Sequence, residues 1–469
     1  MRTRNIPGNR AVPSSRRSSE KGMPGLKAST IADMNDEPLE TPIQHMEEPL
    51  LNYIPKALSP IYRGVPWFLD VSLILLSLWA SAVTTWKRIT WLQPLAILKG
   101  WKAAPTTGEL VTFFTKALLL SVFARTVIQD LFLPPSRVPM RSLLQKYFLP
   151  SSLSKYETLS VLGSDGKEQS IGVHFLEYTN PTNNTSGFDA LYVNHGFGAS
   201  SLSWLPVIPT LTKRLGARVC LGHDAAGFGF TDRPDDLGLY MTRGSGKIAA
   251  NLLLNKTSSA PKSVALLGHS LGCLTTLKMA LELPKETSKL IVLCAPALGI
   301  RKPASVQKRK WYTSAATILR ENFFYPVFGY TLRRAVGGKN FWRRGLETVW
   351  GDKSRLRDND VLRFQWPSVG LGWERGILEF ARAQLSAFDE EDLQDDRTLL
   401  RRVMDMPNTK VMVILGGSDR VIPASFSRNF FNDFGLPVQE MVGLGHDPFE
   451  EKPEEFSELV DRFRKSEFQ

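Results

Sequence analysis

One run constrains this chain more than any other: SVALLGHSLGCLTTLKMALEL, residues 263–283. It opens as a short apolar stretch of strand character and continues, from about Cys273, as an apolar helix. Between the two stands Gly268-His269-Ser270-Leu271-Gly272. A strand that turns this sharply into a helix places its serine on strained backbone, with Oγ standing free above a sheet. Glycines two before and two after keep Cβ atoms out of the crossing. G-x-S-x-G alone arises often by chance; flanked by strand and helix, it marks Ser270 as the candidate nucleophile.

From about residue 150 the same alternation repeats. Short β-rich runs fall at 171–178, 190–194, 217–221, 263–267, 290–294, 410–415 and 438–442, with helical stretches between them. This predicts an α/β fold, a mostly parallel sheet flanked by helices. A serine hydroxyl needs a base, and the base needs an orienting carboxylate. Of six histidines, His446 lies in EMVGLGHDPFEEKPEEF, just after a strand and before a final helix, where a loop returns to the sheet's C-terminal edge. Asp419 directly follows the apolar strand of KVMVILGGSDRVIP, and its competing role is to cap the next helix near Pro423. The other place for an acid, after the preceding strand, reads LCAPALG and has no carboxylate.

The order Ser270, Asp419, His446, with its strand–elbow–helix setting, resembles the α/β-hydrolase family over roughly residues 155–300 and 400–469. Two further motifs fit. Asn194-His195-Gly196-Phe197-Gly198-Ala199-Ser200 is similar to the family's HG oxyanion loop. The resemblance implies that the backbone N–H groups of Phe197 and Leu271 meet the developing oxyanion, with His195 shaping the loop rather than acting as base. HDAAGFGFTDRP, residues 223–234, resembles the family's D-x-x-G-x-G-x-S-D-x-P loop, with Thr231 in place of the usual Ser and no chemistry assigned to it. Serine at the elbow departs from the family's epoxide hydrolases and haloalkane dehalogenases, which carry aspartate there. The acyltransferase-associated H-x-x-x-x-D pattern is unmatched, since Glu451 stands at that spacing from His446.

Charge narrows the partners. The chain has 58 Lys and Arg against 46 Asp and Glu, a net +12. Residues 301–357 alone hold fourteen bases and three acids. They fall in the stretch of about a hundred residues before the Asp419 strand, where the family inserts a mainly helical cap. That stretch is also rich in aromatics, among them Trp311, Phe323, Phe324, Trp342 and Trp366. Two readings stay open: a solvated basic face over a small aromatic core, or a lid that takes lipid chains and meets an anionic lipid surface. No recognised nucleic-acid motif accompanies the basic residues, so nucleic acid is not an expected partner. Cys220, Cys273 and Cys294 are too few and too unpatterned for a disulfide framework or a zinc site, and neither metal nor cofactor is expected.

The N-terminal part differs. Residues 1–60, basic then acidic and without apolar periodicity, read as a disordered tail. Within a membrane-associated region at 61–133, WFLDVSLILLSLWASAVTTW (67–86) has Asp70 as its only charge and Trp at each end. Twenty residues at 1.5 Å each span about 30 Å, a bilayer's hydrocarbon core. A second apolar stretch, 110–133, is broken by Lys116, Arg125 and Asp130. Lys56 and Arg63 precede the span, and Lys87, Arg88, Lys99 and Lys102 follow it, which places the C-terminal side in the cytosol. The expected organisation is this anchor, a hydrolase core at 150–300, a cap at 301–400 and the rest of the core at 401–469. The organelle stays open between endoplasmic reticulum and plastid or mitochondrion.

The resulting expectation is a membrane-anchored serine hydrolase cleaving a carboxylic or lipid acyl ester. An acyltransferase with an alcohol or lysolipid acceptor, and a catalytically silent scaffold of the same fold, are the alternatives.

Overall fold

The computed structural model describes residues 153–182, 187–257, 260–300, 339–370, 372–384 and 395–465, with positions 115, 328, 329, 332 and 336. The tail, the 67–86 segment and, apart from position 115, the 110–133 segment fall outside the described residues. So does most of 301–338. Among the described residues no helix is long and apolar enough to cross a membrane.

Eight strands build one sheet. They are β1 (Ser154–Leu162), β2 (Glu168–Thr179), β3 (Ala190–Asn194), β4 (Val219–His223), β5 (Val264–His269), β6 (Ser288–Cys294), β7 (Lys410–Gly416) and β8 (Val438–Met441), in spatial order β1-β2-β4-β3-β5-β6-β7-β8. β1, β2 and β4 pair antiparallel, and every later pair is parallel. This is the mostly parallel α/β-hydrolase sheet. The seven expected strands are present, and the run expected at 217–221 forms two residues later, after the turn at Gly216. The strand that sequence pattern does not reveal is β1. Its burial alternates only at its C-terminal end, and Lys155, Tyr156 and Glu157 keep it from reading as an apolar run.

Side chains of the central strands alternate between two cores because successive residues of a strand face opposite ways. Val264 and Leu266 of β5 enter one core; Ala265 and Leu267 enter the other. The ten described helices are α1 (Ile208–Arg214), α2 (Thr242–Lys256), α3 (Gly272–Glu282), α4 (Lys339–Val349), α5 (Asp358–Gln365), α6 (Trp373–Gln384), α7 (Asp396–Met404), α8 (Ala424–Asn432), α9 (Pro448–Glu451) and α10 (Pro453–Arg464). Helices α2, α3 and α7 cover the first face. The second is covered by α1 and α10, with Trp204 stacked on Phe449 at 4.1 Å between ring centroids.

The insertion between β6 and β7 is helical where described, and it is tied into both cores. Phe380 and Ala383 of α6 join the first core, and Leu362 of α5 with Trp366 joins the second. A small third cluster of Leu346, Trp350, Leu356 and Val361 lies under α4. Several basic residues above it are paired: Lys339 and Arg343 with Asp358, and Arg355 with Asp352.

Candidate active site

Ser270 ends the turn from β5 into α3 with φ of +51°, a region that costs an L-residue about 1–3 kcal/mol. Its surroundings hold it there. The Ser270 N–H donates to the Cys294 carbonyl at 2.9 Å, and the Ser270 carbonyl accepts from Cys273 and Ala297. A Cβ on Gly272 would lie 2.4 Å from the Asn194 oxygen, and one on Gly268 would lie 2.5 Å from Thr276 Oγ1. Both elbow glycines are therefore required by close backbone approach, as the motif implies.

The same crossing brings the HG loop to the nucleophile. A Cβ on Gly196 would sit 2.9 Å from His269 Nδ1 and 3.0 Å from Ser270 Cβ. Phe197 follows, and Leu271 caps α3 on the other side. Neither N–H has a hydrogen-bond partner among the described residues. Two open donors beside the serine, one of them at a helix N-terminus, make a place for negative charge. His195 shapes this loop: its ring binds the Gly196 carbonyl through Nδ1 at 2.8 Å, while Nε2 accepts from the Ala225 N–H at 3.0 Å. Burial, the largest influence on this ring, lowers its pKa and favours the neutral form.

Asp419 and His446 meet, with His446 Nδ1 2.7 Å from Asp419 Oδ2. The other carboxylate oxygen accepts from the N–H groups of Val421 and Ile422 at 2.7 and 2.9 Å. Asp419 thus both orders its own turn, close to its competing capping role, and holds the imidazole. Burial would lower the His446 pKa, but the hydrogen bond that Nδ1–H donates to Asp419 and the charges of Asp447 and Asp419 outweigh it and raise the value. Nδ1 bound to carboxylate leaves Nε2 to accept a proton, and Nε2 has no partner among the described residues.

The His446 loop is fixed by contacts far apart in sequence. The His446 N–H donates to Val349 O at 2.7 Å, at the end of α4. Glu451 gathers the N–H groups of Gly445, Gly351 and Asp352 at 2.6 to 3.1 Å. A Cβ on Gly445 would lie 2.1 Å from Val349 O, so glycine is needed where loop and insertion cross. At the spacing where the acyltransferase pattern carries Asp, this chain thus has a carboxylate committed to backbone. His269 and Asp447, 2.9 Å apart beside the site, are functional candidates that sequence reasoning does not find. No local pattern links residues 178 positions apart.

The D-x-x-G-x-G loop is scaffolding. Asp224 is fully buried, receives Ser201 N and Oγ and Phe230 N, and pairs with His174 at 2.7 Å. Among the described residues no three His, Cys, Asp or Glu side chains gather to hold a metal ion.

The model of the alpha/beta hydrolase family matches residues 191–459, more than half of the chain. The chain is similar to the uncharacterized hydrolase YugF of Bacillus subtilis, 25% identical over 296 residues, covering 63% of this chain and 95% of that protein. It is 30% identical over 129 residues to the probable lysophospholipase BODYGUARD 3 of Arabidopsis thaliana, covering 27% of this chain and 25% of that protein. Among solved structures it is similar to the Cif epoxide hydrolase from Acinetobacter nosocomialis, with a TM-score of 0.47 and 13% identity, covering 73% of this chain and 96% of that one.

Proposed function

The chain belongs to the alpha/beta hydrolase family, and from that premise we propose that it is a serine hydrolase cleaving carboxylic or lipid acyl esters through an acyl-enzyme. The observation that carries this reading is the strained Ser270 elbow beside the Asp419–His446 pair, with His269, the residue next to Ser270, hydrogen-bonded to the His446 carbonyl at 3.0 Å. Ser270 Oγ bonds to the ester carbonyl carbon as its proton passes to His446 Nε2, and the carbonyl electron pair moves onto oxygen. The N–H groups of Phe197 and Leu271 receive that oxyanion. Collapse restores the carbonyl and breaks the bond to the alkoxy oxygen, which takes the proton from His446. Water then repeats the sequence on the acyl-enzyme, and Asp419 stabilises the imidazolium both times.

A lipid acyl ester is favoured for the substrate. Phe197 is exposed beside the nucleophile, with Phe228 and Phe380 each 5.6 Å from its ring, an apolar surface on which a chain can lie. The name of the Arabidopsis relative, a probable lysophospholipase, points the same way. Membrane attachment through 67–86 and contact of Lys308, Arg309, Lys310, Arg343 and Arg344 with anionic lipid complete the proposal.

The test is labelling of the membrane fraction with a serine-reactive phosphonate, wild type beside Ser270→Ala. Label present in the first and lost in the second is expected; equal labelling overturns the reading. Carbonate extraction of the same fraction checks the anchor: protein released to the soluble phase removes it. A lysolipid acceptor offered in the hydrolysis assay separates water from an alcohol as the second nucleophile.

A further inference from the structure

Nε2 of His269 lies 2.9 Å from Asp447 Oδ1 and 3.0 Å from the backbone oxygen of His446. Both neighbours are acceptors, so this nitrogen carries the hydrogen and shares it between them. Nδ1 is buried and has no partner among the described residues, so the ring is held through Nε2. The ring is held at 5.1 Å from Phe449 and 4.8 Å from the His446 ring, measured between centroids. One side chain, covalently adjacent to Ser270, thus fastens two successive residues of the loop that carries the base.

We propose that His269 and Asp447 form a second imidazole–carboxylate pair that positions His446 against Ser270 and sets the negative charge His446 faces. The inference rests on the serine-hydrolase reading and deepens it by naming what tunes its base. A displacement of about 1 Å between reacting groups costs on the order of 100-fold in rate, so a tie at the nucleophile's own neighbour is well placed to matter.

The charge argument requires Asp447 to stay ionised. Burial would push its pKa up, but the charge and hydrogen bond of His269, with the charges of His446 and Arg363, outweigh it and hold the value low. Arg363 of α5 does not cancel that charge alone, being bound to Glu450 at 2.8 Å and Asp360 at 3.0 Å. Burial, against the pull of Arg363, raises the Glu450 pKa, and burial likewise raises that of Glu451 against its three backbone donors. From the strands, Asp419 faces His446 after β7, His195 faces His269 after β3, and Cys294 at the end of β6 is a thiol that burial keeps protonated. Asp419 and Asp447 are therefore the two negative groups acting on His446.

The experiment is the rate of phosphonate labelling against pH on the full-length protein, which needs no knowledge of the natural substrate. Asp447→Asn keeps the shape and an acceptor for His269 while removing the charge, so the acid limb should move down by about one pH unit, the scale of one nearby carboxylate. His269→Leu should slow labelling at every pH, and His269→Gln, which can return an N–H toward both acceptors, should restore much of the rate. A limb unmoved in Asp447→Asn, or His269→Leu labelled at the wild-type rate, overturns the inference. Label that persists in Ser270→Ala instead defeats the serine-hydrolase reading. Should Asp447→Asn lose cooperative unfolding, the His269 pair decides through the same profiles.

Discussion

Two buried histidines in this protein sit 2.7 Å from an aspartate, and they are built for opposite purposes. At His174 the network is closed. Asp224 accepts from Ser201 N and Oγ on one oxygen and from Phe230 N and His174 on the other, while the second ring nitrogen of His174 lies 2.8 Å from Ser154 Oγ. At His446 the carboxylate is equally engaged, by Val421, Ile422 and the ring, yet the far nitrogen is left without a partner among the described residues. A carboxylate–imidazole pair alone therefore does not identify a base. In the proposed mechanism it is the unmet nitrogen of His446, on the loop tied to the neighbour of Ser270, that serves as base, whereas the closed pair ties β1, β2 and the loop after β4 into one piece.

The largest effect that could break this comparison is on turnover. Ser270→Ala and His446→Ala should each lower ester hydrolysis by about 10⁴ to 10⁶, since members of such a triad act as a unit. Asp419→Asn should cost about 10⁴, because it removes the charge that orients and stabilises the imidazolium. Kinetics on a small soluble ester read all three, and near wild-type turnover in Asp419→Asn would place the acid elsewhere.

The next effect is on stability, and it should fall on the other pair. His174→Phe leaves Asp224 buried with one partner missing, a change expected to lower unfolding free energy by about 3 kcal/mol. The midpoint of urea unfolding measures it, and turnover per folded molecule should stay near wild type. His446→Ala should cost less, since the second ring nitrogen of His446 has no bond to lose among the described residues, whereas His174 also holds Ser154, and Asp419 is less completely buried than Asp224. Loss of labelling in a folded His174→Phe protein would mean that the closed pair also serves the chemistry.

Residues that act through local spacing are legible in the sequence itself. The elbow, the HG loop and the Asp224 loop each declare themselves within a dozen residues, because a sharp turn needs its glycines close by. His446 and Asp419 can be placed because each follows a strand of a parallel sheet. What cannot be read depends on partners brought together from afar. β1 shows little apolar character until β2 gives it a register. His269 with Asp447, Glu451 with Gly351, and Arg363 with Glu450 join segments separated by 87 to 178 positions. Within the insertion, α5 and α6 send Leu362, Phe380 and Ala383 into the main cores, contacts with distant strands and helices that no local spacing announces.

The smallest effect is in pH, and it distinguishes the two pairs without any mutation. The Asp419 hydrogen bond and the charges of Asp447 and Asp419, acting against burial, hold the His446 pKa above 6.5. Hydrolysis needs the neutral ring, so the rate should fall with acid along a limb centred above pH 6.5. The stability contribution has the opposite sense: a folded pKa above the unfolded one favours the native state fully below about pH 6.5, and that share is lost as pH rises through the folded value. Asp224 behaves differently. Burial would raise its pKa, but His174, His195 and Ser201 together bring it down, so its contribution is present above about pH 3.8 and lost only as pH falls through the folded value. Near neutrality the slope of unfolding free energy with pH should therefore carry the His446 share and no Asp224 share, and His446→Gln should remove that share. A wild-type rate limb centred at or below pH 6.5, or a slope unchanged in His446→Gln, would show that the open pair does not hold its proton as its two carboxylates require.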